Sequence, residues 1–211
     1  MASIVDICNI ALARIGDEAT VTSIDPPEGA AQAEHCARFY PQARNALLLR
    51  HPWSFATQRA RLAKLSETVP GAACAYAVPA SCIKVLECFE DDDAPGGRPW
   101  IHGMPHQHWK LEMLGEQRVI LTDAESLNIR YLTDGTKPEL YSAAFTEALS
   151  WLLASMLAGA IVKDQSGQQL AANCMRFYED AFQKAVAIDS RQQREPIHFV
   201  PIGLEDYARA C

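Results

Sequence analysis

His102, His106 and His108 are the residues of this chain best placed by type and spacing to hold a metal. An H-x3-H-x-H run could bring three imidazoles around zinc, which takes nitrogen, sulfur and carboxylate ligands tetrahedrally. The spacing matches no established zinc signature, and Pro105 stiffens the segment between the histidines. A solvent-facing contact loop is therefore the expected role, with no metal and no cofactor. Asp91, Asp92 and Asp93 lack the spacing of a calcium-binding loop and read as a solvated acidic turn. Glu34, His35 and Cys36 are adjacent, but neighbouring residues of a helix face different ways and cannot act as one catalytic unit. The sequence carries no nucleophile elbow, phosphate-binding loop, dinucleotide fingerprint or zinc-protease helix motif. Hydrolysis of a sugar by two carboxylates distant in the chain would leave no local signature, and no pair is singled out. A non-enzymatic protein is the expectation.

Nucleic-acid binding is the next chemistry to weigh. Trp53 and Phe55 could stack on bases, but they follow a helix directly and precede Arg59-x-Arg61, which suits a core hinge better. Arg38, Arg44 and Arg50 are spaced by six and do not share one narrow helical face. The net charge of −7 runs against a dedicated nucleic-acid binder, whose basic footprint should dominate. Charge is nevertheless segregated. No acid occurs from His35 to Ser66, whereas Asp17, Glu18 and Glu28 belong to an acidic stretch just before it. Arg38, Arg44 and Arg50 on one side, and Asp17, Glu18 and Glu28 on the other, could pair across a contact between subunits. Solvated helix faces are the alternative.

The elements that must position these residues announce themselves by period. Ala33, Cys36, Ala37, Tyr40, Ala43 and Leu47 mark an amphipathic helix that runs into His51-Pro52. Proline lacks an amide donor and pushes its predecessor out of helical geometry, so the helix should stop near His51. Trp53 and Phe55 then fall on one side of an extended strand, with Ala56 completing a buried junction. Ser3-x-x-Asp6, Asp25-x-x-Glu28, Thr136-x-x-Glu139 and Ser166-x-x-Gln169 read as capping boxes that open four helices. Gly16 should close the first, Pro26 begin the second, and Pro41 kink it. The third, about Pro138 to Lys163, is apolar nearly all round and should be buried on most sides. Its Ala154, Ser155, Ala158 and Gly159 would let neighbouring backbones approach. The fourth, about Gly167 to Ser190, carries one apolar stripe through Leu170, Cys174, Phe177, Ala181, Ala185 and Ile188.

Between the helical halves the period changes to two. Ile83 and Val85, then Trp109, Leu111 and Met113, then Leu127, Ile129 and Tyr131 alternate, and Gly115-Glu116 separates two of the runs. This predicts a meander of antiparallel strands. The fold class expected is α+β: a four-helix bundle from the N- and C-terminal helices, an inserted antiparallel β-sheet unit and an extended C-terminal arm. Its parts are residues 1–53, 54–135, 136–190 and 191–211. The last holds Ile197, Phe199, Val200, Ile202, Leu204 and Tyr207 among prolines, an apolar extended segment with no partner of its own. Seven cysteines, odd in number and without a C-x-x-C pair, are expected to be reduced and mostly buried, as in a cytosol. Asp6 and the lack of a basic n-region argue against a signal peptide. The uncharged run from Ala148 to Val162 falls short of the ~20 residues that span a bilayer, so no membrane association is expected.

His51-Pro52-Trp53-Ser54-Phe55-Ala56 after an amphipathic helix, Tyr76-Ala77-Val78-Pro79 before a strand, and a short opening helix ending in Ile15-Gly16 carry a resemblance. Over residues 3–89 the chain resembles the tail tubular protein A family, the head-to-tail adaptors of short-tailed bacteriophages; beyond that only the layout is similar. The resemblance implies a structural virion protein, made in the bacterial host cytoplasm and located in the tail at the portal vertex. Copies would close into a homo-oligomeric ring, a dodecamer, between portal protein and tail nozzle protein. Double-stranded DNA would pass through the lumen during ejection without specific binding. The arm residues Ile197, Phe199, Val200, Ile202, Leu204 and Tyr207 would contact the portal. A tail-associated peptidoglycan hydrolase is the alternative from another class. A head-completion ring of long-tailed phages is a second, against which the inserted β-unit argues.

Overall fold

The computed structural model describes residues 2–18, 20–67, 69–89, 108–134 and 137–192. Among these it is mixed helix and sheet, with four α-helices and two antiparallel three-stranded sheets. Helix α1 spans Ile4–Arg14, α2 Ala31–Arg50, α3 Ala143–Ile161 and α4 Asp164–Gln192. The strands are β1 Thr57–Arg61, β2 Cys74–Ala77, β3 Cys82–Phe89, β4 Trp109–Leu114, β5 Gln117–Thr122 and β6 Asn128–Thr133.

Helix α1 opens as its sequence dictates. The Ser3 hydroxyl accepts from the Asp6 amide at 3.1 Å, and the Asp6 carboxylate accepts from the Ser3 amide at 2.8 Å. These two bonds satisfy donors that the first turn would otherwise leave orphaned. The bond from the Ser3 amide holds the Asp6 carboxyl below its ordinary value.

The other three helix starts differ from expectation. Helix α2 begins at Ala31, not at Pro26, and Ala30 caps it without a side-chain bond. The Asp25–Pro26 peptide is cis, and Ile24 and Pro27 form an isolated bridge. Glu28 accepts from both the amide and the hydroxyl of Thr22, and the Ser23 hydroxyl donates to the Pro26 carbonyl. The carboxylate expected to close a capping box thus closes a loop. Helix α2 then continues through Pro41, which lies on its exposed face. Helix α3 is capped by Ser142, whose hydroxyl accepts from the Phe145 amide at 3.1 Å, after a 3-10 turn over Pro138–Leu140. The expected cap Thr136 lies outside the described residues. At the other end, α4 begins at Asp164, ahead of the Ser166 box, and Asp164 takes φ 76° to turn the chain sharply out of α3.

Helix α3 packs against the other three helices and supplies much of the helical core through Phe145, Leu149, Leu152, Leu153 and Leu157. By length and composition it could cross a membrane, with a mean hydropathy of 1.5, but 56% of that stretch is buried inside the protein. Ala154, Ser155 and Ala158 are buried as small contact residues. Gly159 is exposed with open space around it, so the close backbone approach falls elsewhere, at Gly167 of α4.

The strands form two sheets rather than one meander, ordered β1-β6-β3 and β2-β5-β4. The β4–β5 hairpin turns through Gly115 at φ 60°, as its sequence suggests. Strand β6 returns to pair with both β1 and β3, so the hairpin is set aside into the second sheet. Period-two alternation explains the layering. Leu132 of β6, with Ile83 and Leu86 of β3, faces the helical core. The intervening Ile129 and Tyr131 face Tyr76 and Ile120 of the second sheet. The first sheet therefore lies between the helices and the second sheet. Alternation in β4 does not bury its apolar side: Leu111 is 45% and Met113 61% exposed, because β4 is an edge strand.

Candidate functional site

The junction between α2 and β1 gathers Trp53, Phe55, Tyr141, Phe145 and Phe182 into one aromatic cluster. Residues Ser54–Ala56 form a 3-10 turn, not the extended strand expected, and β1 starts at Thr57. Trp53 is fully buried, and its indole donates to the Leu47 carbonyl in the last turn of α2 at 3.1 Å. Its ring lies edge-on to Phe145 at 5.0 Å and to His51 at 4.8 Å, and 6.2 Å from both Phe55 and Phe182. Phe55 is half-buried against Tyr141 and Phe145, and Ala56 is buried. Edge-to-face pairs of this kind add to what area burial alone contributes.

A buried carboxylate fastens this junction to α4. Asp189 accepts from the Ser54 amide at 3.2 and 3.1 Å and from the Ser54 hydroxyl at 2.6 Å, and the His51 Nε2 lies 3.2 Å away. Serine, histidine and aspartate thus meet, but in an order unlike that of a hydrolase. Nucleophilic catalysis needs the imidazole between hydroxyl and carboxylate. Here the carboxylate sits in the middle and both side chains bond to it, which makes a clasp. Asp189→Ala would remove the acceptor of the half-buried Ser54 amide and hydroxyl and should destabilise the fold by about 1–2 kcal/mol, with Asp189→Asn losing less. Urea unfolding followed by circular dichroism measures both; equal stability to the wild type would mean that the clasp contributes nothing. The sequence held a signal for Asp189, since it falls on the buried stripe of α4 in register with Ala181 and Ala185.

The charged residues expected to pair between subunits are dispersed. Arg50 is engaged within its own chain. It forms two bonds to Glu179 at 2.8 and 3.1 Å, donates to the Tyr178 hydroxyl at 2.8 Å, and lies 3.9 Å over the Phe182 ring. The Glu179 bond raises its pKa further. Arg44 is half-buried and donates to Asn45. Asp17 accepts from Gln32 at 3.3 Å, and Glu28 is held by Thr22. Arg38 and Glu18 are exposed.

A surface that sequence reading missed spans α1, α3 and α4. The Arg14 guanidinium lies 3.9 Å over the Trp151 ring and pairs with Glu147 at 2.9 Å. The Trp151 indole donates to the same Glu147 at 3.0 Å. Phe177 stacks on Trp151 at 4.7 Å yet remains 52% exposed, and Ile10, one turn before Arg14, is exposed as well. Phe177 and Ile188 belong to the apolar stripe expected for α4, which is wider than the strip α3 covers. That excess width was visible in the sequence; which edge stays open was not.

His108 is exposed at the start of β4, while His102 and His106 lie outside the described residues. So do Asp91, Asp92 and Asp93 and the arm residues Ile197, Phe199, Val200, Ile202, Leu204 and Tyr207. Among the described residues no group of three histidine, cysteine, aspartate or glutamate side chains is gathered as a metal site. No protein-family model and no curated protein matches the chain.

Proposed function

We propose that this chain is a head-to-tail adaptor of a short-tailed bacteriophage, a structural protein of the virion whose copies close into a dodecameric ring between portal and tail nozzle. In this reading the four helices work as one bundle that builds the ring, and the two sheets project from it. The observation that carries self-association is Phe177, stacked on Trp151 yet half exposed on the face of α4, with Ile10 exposed on α1. Large apolar faces left to water mark sites of protein contact. The kind of assembly comes from the sequence resemblance, whose HPWSFA segment forms the α2–β1 junction.

The mechanism is geometric, with no bond made or broken. An acidic chain, at net charge −7, suits a conduit that must pass DNA without holding it, because phosphate attraction dominates non-specific DNA binding. The apolar tail segment beyond α4 supplies the contact to the portal.

Light scattering and electron microscopy of the purified protein, alone and mixed with portal protein, test this. Rings are expected, with co-migration on the portal. Removing residues 193–211 should leave the fold intact and abolish portal binding. A monomer indifferent to portal would overturn the assignment, as would clearing of a peptidoglycan suspension that depends on one of its carboxylates.

A further inference from the structure

Strand β4 closes one side of the second sheet. It pairs with β5, and among the described residues no strand lies on its other side. The register against β5 sorts its side chains. Trp109, Leu111 and Met113 share the face of Ile120, toward the core between the sheets, and Lys110 and Glu112 share the opposite face with Val119 and Leu121. Trp109 packs against that core, whereas Leu111 and Met113 remain exposed, as do Lys110 and Glu112. The backbone is sorted too. The turn at Gly115-Glu116 has two residues, so Leu114 and Gln117 flank it as a bonded pair. Antiparallel alternation then points the amides and carbonyls of Trp109, Leu111 and Met113 at the open edge.

We propose that β4 is a self-recognition edge: two copies of this chain join their β4 strands antiparallel about a two-fold axis at Leu111, making one continuous six-stranded sheet. Charge on an edge strand usually resists such pairing. Here the two charges are opposite in sign and two residues apart, which turns resistance into register. With Leu111 opposite Leu111 of the second copy, Lys110 faces Glu112 twice and Met113 faces Trp109 twice. Sliding the strands by two residues sets Lys110 against Lys110 or Glu112 against Glu112, and like charges directly opposite are destabilising. The matched register also brings the outward amides and carbonyls of the two strands together and covers Leu111 and Met113. Six-residue strands bury little area, so the pair is weak and forms at high protein concentration. An isologous contact of this kind is complete at two chains, which a ring contact is not. The inference therefore stands apart from the adaptor reading.

Full-length chains, unlabelled and heavy-nitrogen-labelled, are mixed at high concentration and treated with a carbodiimide, which joins an amine to a carboxylate in direct contact. The expected product is a peptide linking Lys110 of one isotope to Glu112 of the other. Sedimentation equilibrium of charge-reversed variants reads the same contact. Lys110→Glu and Glu112→Lys should each weaken pairing about tenfold, because either change sets two like-charge pairs across the two-fold axis. An equimolar mixture of the two variants should recover the pairing of the wild type, since unlike copies then oppose unlike charges at both positions. Both side chains are exposed, so the circular dichroism of each variant should match that of the wild type. Absence of the isotope-mixed peptide, pairing that charge reversal leaves unchanged, or a mixture no better than its components would overturn the proposal. Ring formation is scored separately by electron microscopy. Rings without the linked peptide sink the strand pairing alone, and the peptide without rings sinks the adaptor reading alone.

Discussion

Trp53→Ala is expected to destabilise the protein by about 3–5 kcal/mol, the cost of emptying a large aromatic site in a packed core. Native domains are stable by only ~5–15 kcal/mol, so the variant should hold a substantial part of its chains unfolded at moderate temperature. Two effects add here. The cavity removes contacts to Phe145, Phe182, Phe55 and His51, and the Leu47 carbonyl loses the indole that satisfies it. Trp53→Phe keeps an aromatic in the site but not the donor, and should lose about half as much. Far-UV circular dichroism during urea unfolding reads both without relying on the removed fluorophore. A loss below about 1 kcal/mol for the alanine variant would contradict full burial.

The second large effect reverses the ordinary rule for glycine. Alanine in place of glycine within a helix usually stabilises by up to about 1 kcal/mol. At Gly159, where an added methyl meets nothing within 4 Å, that gain is expected. At Gly167 the methyl carbon would fall 1.8 Å from the Val162 carbonyl oxygen, 2.9 Å from its carbon and 3.2 Å from the Ala158 oxygen. These are backbone atoms at the end of α3 and cannot rotate aside. The turn between α3 and α4 would have to open, and Gly167→Ala should cost about 3 kcal/mol or more. Thermal melts of the two variants should therefore move in opposite directions. Two shifts of the same sign would show that α4 does not press its first turn onto α3.

The contrast between these glycines shows what the sequence could and could not disclose. A small residue in an apolar helix signals that some backbone comes close, but not which of several small residues is used. The end of α2 was legible because proline acts locally, as was the Gly115 hairpin. The start of α2 was misjudged because Glu28 had a nearer partner in Thr22, a choice between two local bonds that spacing cannot settle. The division of the strands into two sheets was illegible for a different reason. Alternation fixes which residues share a face, whereas β6 selects β1 and β3 by packing across long stretches of chain. At the candidate site, Trp53 and Ala56 could be placed from their setting. Asp189 required knowing which turn of α4 meets Ser54, and the Arg14–Trp151–Phe177 surface required knowing which three helices meet.

The place of α3 in the helical layer has a consequence for the nascent chain. Helices α1 and α2 emerge from the ribosome long before α3, the helix that covers their inner faces. At about 5–20 residues per second, their apolar stripes wait on the order of 5–20 s for that cover. Throughout that interval synthesis of the strands proceeds with the apolar faces of the N-terminal pair uncovered.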